Sequence, residues 1–277
     1  METYTLNPDS ESLLVTGDGI EGIRLNECIS SLRVQNPKDF LNQPLYKFYS
    51  MRALVPLLTT GQLYIDRINS WEDVYENFFL KERFYSREMR QTIDTSQYSN
   101  DIFGQSWTSI PETDAMWRIY SPDKLGVRIE TTAKKLFSAV MVDSRSLGGT
   151  LLGEVMYEEQ DAITKFIIDW ITKDKNSMFR ALLPITHFLK RKEFEHEHEI
   201  RLIKSIDSNS EELVNSVKRL AFRININDFI ESYRLDPRLD NATFETQKEY
   251  LINLGADSSK ISRSHLYEFT PITIYVD

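Results

Sequence analysis

The chain has 277 residues, of which 41% are hydrophobic and 27% charged, and its formal net charge is −9. That composition supports a sizeable core, and the acidic balance argues against a protein that coats phosphate backbones over a broad face. The single cysteine, Cys28, excludes an internal disulfide and a cysteine zinc cluster. The polar, acidic start METYTLNPDSES lacks the signal-peptide pattern, and no apolar run reaches the roughly 20 residues of a membrane span. A soluble cytoplasmic protein with no membrane partner is expected.

Residues 1–40 are polar and weakly periodic and read as an N-terminal extension; 41–277 reads as a single α+β domain including C-terminal helices. Regular structure is expected to start with the aromatic strand PLYKFYS (44–50). A helix follows in MRALVPLLTTGQLYI (51–65), where Leu54, Leu57 and Leu58 keep helical spacing and Gly61 supplies a stop. QLYID is a second strand, RINSWEDVYENFF a loop entering a helix, and 81–101 a charged helix then loop. IFGQSWTSI (102–110) is a strand candidate. ETDAMWRIYS (112–121) is a short helix capped by Thr113 or Asp114. Strands are expected in LGVRIETT (125–132) and LLGEVMYEE (151–159). The stripe Ile163, Phe166, Ile167, Trp170, Ile171 marks an amphipathic helix over 161–174. A second helix, bent at Pro184, covers MFRALLPITHFLK. EHEIRLIKSI and AFRINI (221–226) are strands, and INDFIESYRL opens a helix capped at Asn227 or Asp228. TFETQKEYLINLG (243–255) is a helix ended by Gly255, and TPITIYV a last strand.

Neither a G-x-G-x-x-G nor a Walker-type G-x-x-x-x-G-K-[ST] occurs, nor an H-E-x-x-H or a G-x-S-x-G elbow. The stretch that carries chemistry is KEFEHEHEIR (192–201). Read as a strand, it puts Glu195, Glu197, Glu199 and Arg201 on one face, and Phe194, His196, His198 and Ile200 on the other. Three readings follow. His196 and His198 could ligate a metal, though they share a face with Phe194 and Ile200 and so read more simply as histidines at the edge of a core. Glu197 and Glu199 could form a catalytic E-x-E pair whose crowding raises proton affinity while Arg201 holds one member ionised. Or the face is simply solvated charge.

Several segments together resemble the prokaryotic family known as domain of unknown function 2971. They are LYKFYS, TTGQLYI, SWEDVYE (with Val74 where proline is usual), SWTSIPETDAMWRIYSPDKLGVRIETT (with Ser106 in the frequent cysteine position) and FEHEHEIR; together they span about 44–235. Their order is also similar to the ADP-ribosyltransferase superfamily, in particular to DNA-modifying toxins whose first strand is followed by a segment of the form of ALVPLLTTGQL. Lys47 stands where that superfamily carries Arg or His.

The second resemblance implies an ADP-ribosyltransferase-like split-sheet core with surrounding helices, and NAD as co-substrate in a cleft between two small sheets. It implies Glu199 on the nicotinamide ribose and Glu197 on the acceptor. Tyr46, Lys47, Ser106, Thr108, Trp117, Tyr120 and Arg201 would be contacts to NAD, and Trp71, Asp73 and Glu76 would form a loop over the cleft. The acceptor would be nucleic acid or protein, with Lys190–Lys192 as a local basic track, and the biology that of a toxin or antiphage effector with an antitoxin or regulatory partner. Two alternatives stand beside it: a non-catalytic module of the same fold that binds NAD, a nucleotide or a partner, and a metal-dependent hydrolase using His196 and His198.

Overall fold

The computed structural model describes residues 13–14, 37–71, 84–86, 90–93, 102–141, 150–173, 186–205 and 218–275. In chain order they form β1 (Leu13–Leu14), α1 (Pro37–Asn42), β2 (Pro44–Tyr49), α2 (Met51–Thr60), β3 (Gln62–Arg67), β4 (Phe84–Ser86), β5 (Gln91–Ile93), β6 (Ile102–Thr108), α3 (Asp114–Tyr120), β7 (Val127–Thr132) and α4 (Ala133–Met141). Then come β8 (Thr150–Glu154), β9 (Met156–Glu158), α5 (Gln160–Lys173), β10 (Leu189–Arg191), β11 (Glu199–Ser205), β12 (Arg219–Arg223), α6 (Ile226–Phe229), β13 (Ser232–Leu235), α7 (Asn241–Asn253) and β14 (Ile261–Arg263). The fold is mixed α/β with mostly antiparallel pairing. The chain packs into two compact units: Met1–Leu45, Gln62–Ser109 and Thr132–Ile224 form the first; Tyr46–Gly61, Ile110–Thr131 and Asn225–Asp277 form the second.

In the first unit β11 is a central strand. It pairs antiparallel with β6, from Glu199 opposite Thr108 to Ser205 opposite Ile102, and on its other edge with β8, from Ile200 opposite Glu154 to Lys204 opposite Thr150. Covered on both faces as well, its residues are buried from Glu199 to Lys204. Beyond β6 lie β3 and then β12, and β1 lies beyond β8. Helix α4 packs against β8 through a face that buries Leu136, Phe137 and Val140. The short parallel pair β9–β10 sets Lys190 opposite Tyr157, and β10 leads directly into a 3-10 helix, Lys192–Glu197.

In the second unit the strand order is β2-β7-β13-β14. Helix α2 starts where the Ser50 hydroxyl accepts from the Ala53 N–H, and stops at Gly61, whose φ of 62° suits a residue without Cβ. Its leucines 54, 57 and 58 are buried, as expected from their spacing. Thr113 caps α3, Asp240 caps α7, and Gly255 follows α7 at φ 98°. A polar knot ties the end of α3 to the end of β13. The Ser121 hydroxyl donates to Asp236 Oδ2 (2.6 Å) and accepts from the Gly126 N–H (2.9 Å), while Arg238 donates to both Asp236 oxygens and to the carbonyls of Trp117 and Ser121. A Cβ at Gly126 would stand 2.6 Å from Ser121 Cβ, so the glycine is what lets the loop close on the serine.

Several expectations need correction. Residues 84–86 and 91–93 pair as an antiparallel hairpin where a helix was expected; strands of three residues in a charged segment are too short to show a period. LLGEVMYEE is two strands broken at Val155, not one. The helix expected from INDFIESYRL ends after one turn capped by Asn225, because Ile230 returns to extended backbone and Ser232–Leu235 pairs with β7. Residues 270–275 of the expected strand TPITIYV form none, and its last residue lies outside the described residues. Residues 268–275 carry no regular structure, and Phe269, Ile272, Ile274 and Tyr275 are exposed. The helix expected over 178–190 lies outside the described residues up to 185, and its end is β10. The helix expected after Trp71 also lies outside them, with Asp73 and Glu76.

Candidate active site

The expected uninterrupted strand through EHEHE is not formed. Residues 192–197 wind into the 3-10 helix, His198 turns left-handed (φ 44°, ψ 53°), and the strand begins only at Glu199. The cause lies across the sheet: the carbonyl of His198 accepts from the Ser109 N–H (3.1 Å), which pins the turn to the end of β6. His196 and His198 are both exposed, so the expected packed histidine face is also absent. Among the described residues no group of three or more His, Cys, Asp or Glu is arranged to hold a metal ion.

The turn nevertheless brings Glu197 and Glu199 together, on a lysine. Lys190 Nζ donates to Glu197 Oε2 at 2.6 Å and also to Glu199 Oε1. Arg201 donates from Nε to Glu199 Oε2 at 2.6 Å and from Nη1 to the His187 carbonyl at 2.5 Å. The Glu199 N–H donates to the Tyr157 hydroxyl at 2.8 Å. Trp71 lies against the Arg201 guanidinium, its ring 4.9 Å from Cζ. A Cβ at Gly104 would meet that indole at 2.8 Å, so the glycine in β6 makes room for it.

Burial divides the carboxyls. The Glu199 side chain is 7% exposed and that of Arg201 0%, whereas Glu197 is 16% exposed. Burial and a hydrogen bond with Glu199 push the Glu197 carboxyl up to about 7, against the pull of Lys190. Burial also opposes the charge of Glu199, but Arg201, the hydrogen bond from Glu197 and Lys190 together hold it well below the usual carboxylate range. The two glutamates, together with Lys190, raised in turn despite its burial, form an acid–base pair whose proton sits on Glu197.

Of the other expected site residues, Ser106 and Thr108 stand directly opposite Arg201 and Glu199 across the β6–β11 ladder and share their face. Trp107, on the opposite face, is core, its indole N–H donating to Gln105. Tyr46, Lys47, Trp117 and Tyr120 belong to the second unit. There Tyr46 is buried beneath Arg128, Lys47 lies over the Tyr49 ring, and Tyr120 stacks on Phe48. Trp117 is fully buried, donates to Glu112 and meets Phe48 edge-on, so it serves as core rather than as a platform for a base. Arg201, fully buried, clamps Glu199 from inside the protein instead of reaching outward to a phosphate. Lys190, expected in a surface track with Arg191 and Lys192, is buried as the carboxyls' partner; the exposed Lys192 lies 3.8 Å from Glu159. No sequence period marks Lys190, Tyr157 or His187 as part of the site, since the β9–β10 pairing that gathers them is only three residues long.

A mixed α/β fold with a buried, cation-bridged glutamate pair at the head of a central strand is the class of protein that fold and site define. Residues 116–202 match the model of the family described as Protein of unknown function (DUF2971). That span holds the MWRIYS and GVRI segments and ends just past the glutamate pair; the aromatic first strand lies outside it. No curated protein and no solved structure matches the chain.

Proposed function

We propose that the protein transfers ADP-ribose from NAD to a macromolecular acceptor, with the first unit as an ADP-ribosyltransferase-type core. The observation that carries this reading is the geometry of two adjacent glutamates: Glu199, buried and bonded by Arg201 and Lys190, and Glu197, more exposed and bonded to the same lysine. In this reaction the bond from ribose C1′ to the nicotinamide nitrogen breaks, and nicotinamide leaves with the electron pair. Positive charge gathers on the ribose ring, where a fixed anion lowers its energy. The acceptor atom then bonds to C1′ and loses its proton. Glu197, the more exposed carboxyl, takes that proton in its ionised form. Glu199 supplies the fixed negative charge behind it, and Ser106 and Thr108 border the same face. This chemistry fits a toxin or antiphage effector restrained by an antitoxin or regulatory protein.

The internal pairing of both Glu199 oxygens and the lysine at position 47 favour a second reading, a module that binds NAD, a nucleotide or a partner without turnover. One experiment separates the two. The full-length protein is incubated with labelled NAD and with RNA, DNA or lysate protein, beside Glu197→Gln and Glu199→Gln. Label transfer that falls by about 10²–10⁴-fold in Glu197→Gln supports the transferase. NAD binding without transfer or nicotinamide release supports the module, and transfer unchanged in both variants removes the glutamates from the site.

A further inference from the structure

Lys190 has a position that neither reading of the glutamates explains. Burying an ammonium costs several kcal/mol unless anions compensate it. Glu199 is already matched by Arg201, which is buried beside it and bonded to its Oε2. One acid and one base would balance there. Lys190 adds a second buried cation, its side chain 6% exposed, and its additional counter-ion is Glu197 at 2.6 Å. The lysine is also caged. Its strand β10 is paired in register with β9, Tyr157 stands opposite, and the Phe194 ring lies 4.5 Å from the ammonium. Its place between the two carboxyls is therefore fixed by backbone pairing and packing, not by a flexible surface excursion.

The geometry points to Lys190 as a positioning residue: its ammonium ties Glu197 and Glu199 into one unit, holding the Glu197 carboxyl in a single orientation toward substrate while Glu199 stays behind it. The inference rests on the transferase reading only for the name of the reaction; the tie between the carboxyls stands on the contacts alone. Because the left-handed turn at His198 breaks the strand between the glutamates, strand geometry does not hold Glu197 in register with Glu199. The lysine does so instead.

The test follows the carboxyl of Glu197 directly, by carbon-13 NMR titration of glutamate-labelled full-length protein, beside label transfer from NAD. In Lys190→Met the Glu197 midpoint is expected to rise by about one unit or more as its cation is lost. Transfer is expected to fall about 10²-fold in kcat with little change in KM, as for a misplaced reacting group. Lys190→Arg, which keeps the charge, should restore the midpoint to within about half a unit, a shift worth only a few-fold in proton affinity. A second arm leaves the lysine alone. In Glu199→Gln the ammonium no longer shares its charge with Glu199 and the like charge beside Glu197 is gone, so the Glu197 midpoint should drop about two units. That arm decides the matter if Lys190→Met does not fold. A Glu197 midpoint unmoved in folded Lys190→Met, or still near neutrality in Glu199→Gln, overturns the assignment. Expected midpoints with no transfer by the wild-type protein sink the transferase reading and support the tie.

Discussion

Each unit of the molecule buries a polar cluster, and the two are balanced in different ways. In the second unit Asp236, fully buried, faces one cation, Arg238, and the remaining donors around it are a hydroxyl and a backbone N–H. Each oxygen of Asp236 has its donors, and the arginine spends its other hydrogen bonds on the carbonyls of Trp117 and Ser121. In the first unit two carboxyls share two cations, and one of the four charges titrates near neutrality. A cluster whose carboxylate is matched by one arginine and otherwise by neutral donors serves the fold. A cluster that holds a removable proton at a partly exposed carboxyl can also serve a reaction. The family match spans both the serine end of the first cluster and the glutamates of the second, so a residue's presence in a shared motif does not by itself make it a site residue.

The sharpest way to break this comparison is Asp236→Ala. It leaves the Arg238 guanidinium partly buried without its carboxylate and frees the Ser121 hydroxyl, which together should cost about 3–5 kcal/mol. Urea unfolding followed by tryptophan fluorescence measures it. A loss below about 1 kcal/mol would mean that the knot does not hold the end of α3 to β13.

The next effect is electrostatic and carries a sign. The Glu197 carboxyl sits at about 7 in the fold against an ordinary 4.5. Below 4.5 it is protonated in both folded and unfolded chains and contributes no pH dependence. Between 4.5 and 7 the folded chain keeps a proton that the unfolded chain has released, so this group's contribution to stability falls as pH rises; above 7 the decline stops. The loss is on the order of 3 kcal/mol across the window. Glu199 works in the opposite sense but outside this range: its contribution is complete above the ordinary carboxylate range and is lost only in acid. Glu197→Gln imitates the neutral carboxyl at every pH. Its stability curve should therefore lack the wild-type decline between pH 4.5 and about 7, and thermal unfolding across that range shows the difference between the two proteins. Parallel curves would place the titrating proton elsewhere.

Much of the fold was legible because its signals are local. Leucine spacing and Gly61 bracket α2, Thr113 opens α3, and apolar alternation marks β7. In the site, Glu199 and Arg201 were correctly set on one strand face, since both lie within β11. What failed was the extrapolation of that strand backward through His196, because alternation in EHEHE has a strand's period but the Ser109–His198 contact that ends the strand is 89 residues away in sequence. Lys190 was misread as a surface cation for the same kind of reason. Its anionic partners follow it by seven and nine residues, a spacing that no helix or strand rule brings together. Trp117 has the composition of a stacking platform, yet it is fully buried with its ring edge-on to Phe48.

The smallest effect lies at the hinge of the glutamate pair. Left-handed backbone at a residue with a Cβ costs on the order of 1–3 kcal/mol; the second unit meets that need with glycine at Gly61 and Gly255 but also places Lys124 there, at φ 64°. The first unit spends a histidine there, at φ 44°. His198→Gly removes the strain but adds about 0.5–1 kcal/mol of unfolded-chain freedom, so the expected net gain is about 0–2.5 kcal/mol. His198→Val, whose branched Cβ suits left-handed backbone poorly, should lose stability. Chemical denaturation ranks the three. If the glycine variant gains stability while Glu197 keeps its midpoint, the histidine shapes the turn without contributing charge to the pair; if the midpoint moves with the glycine, the rigidity of the turn is itself part of what Lys190 works against.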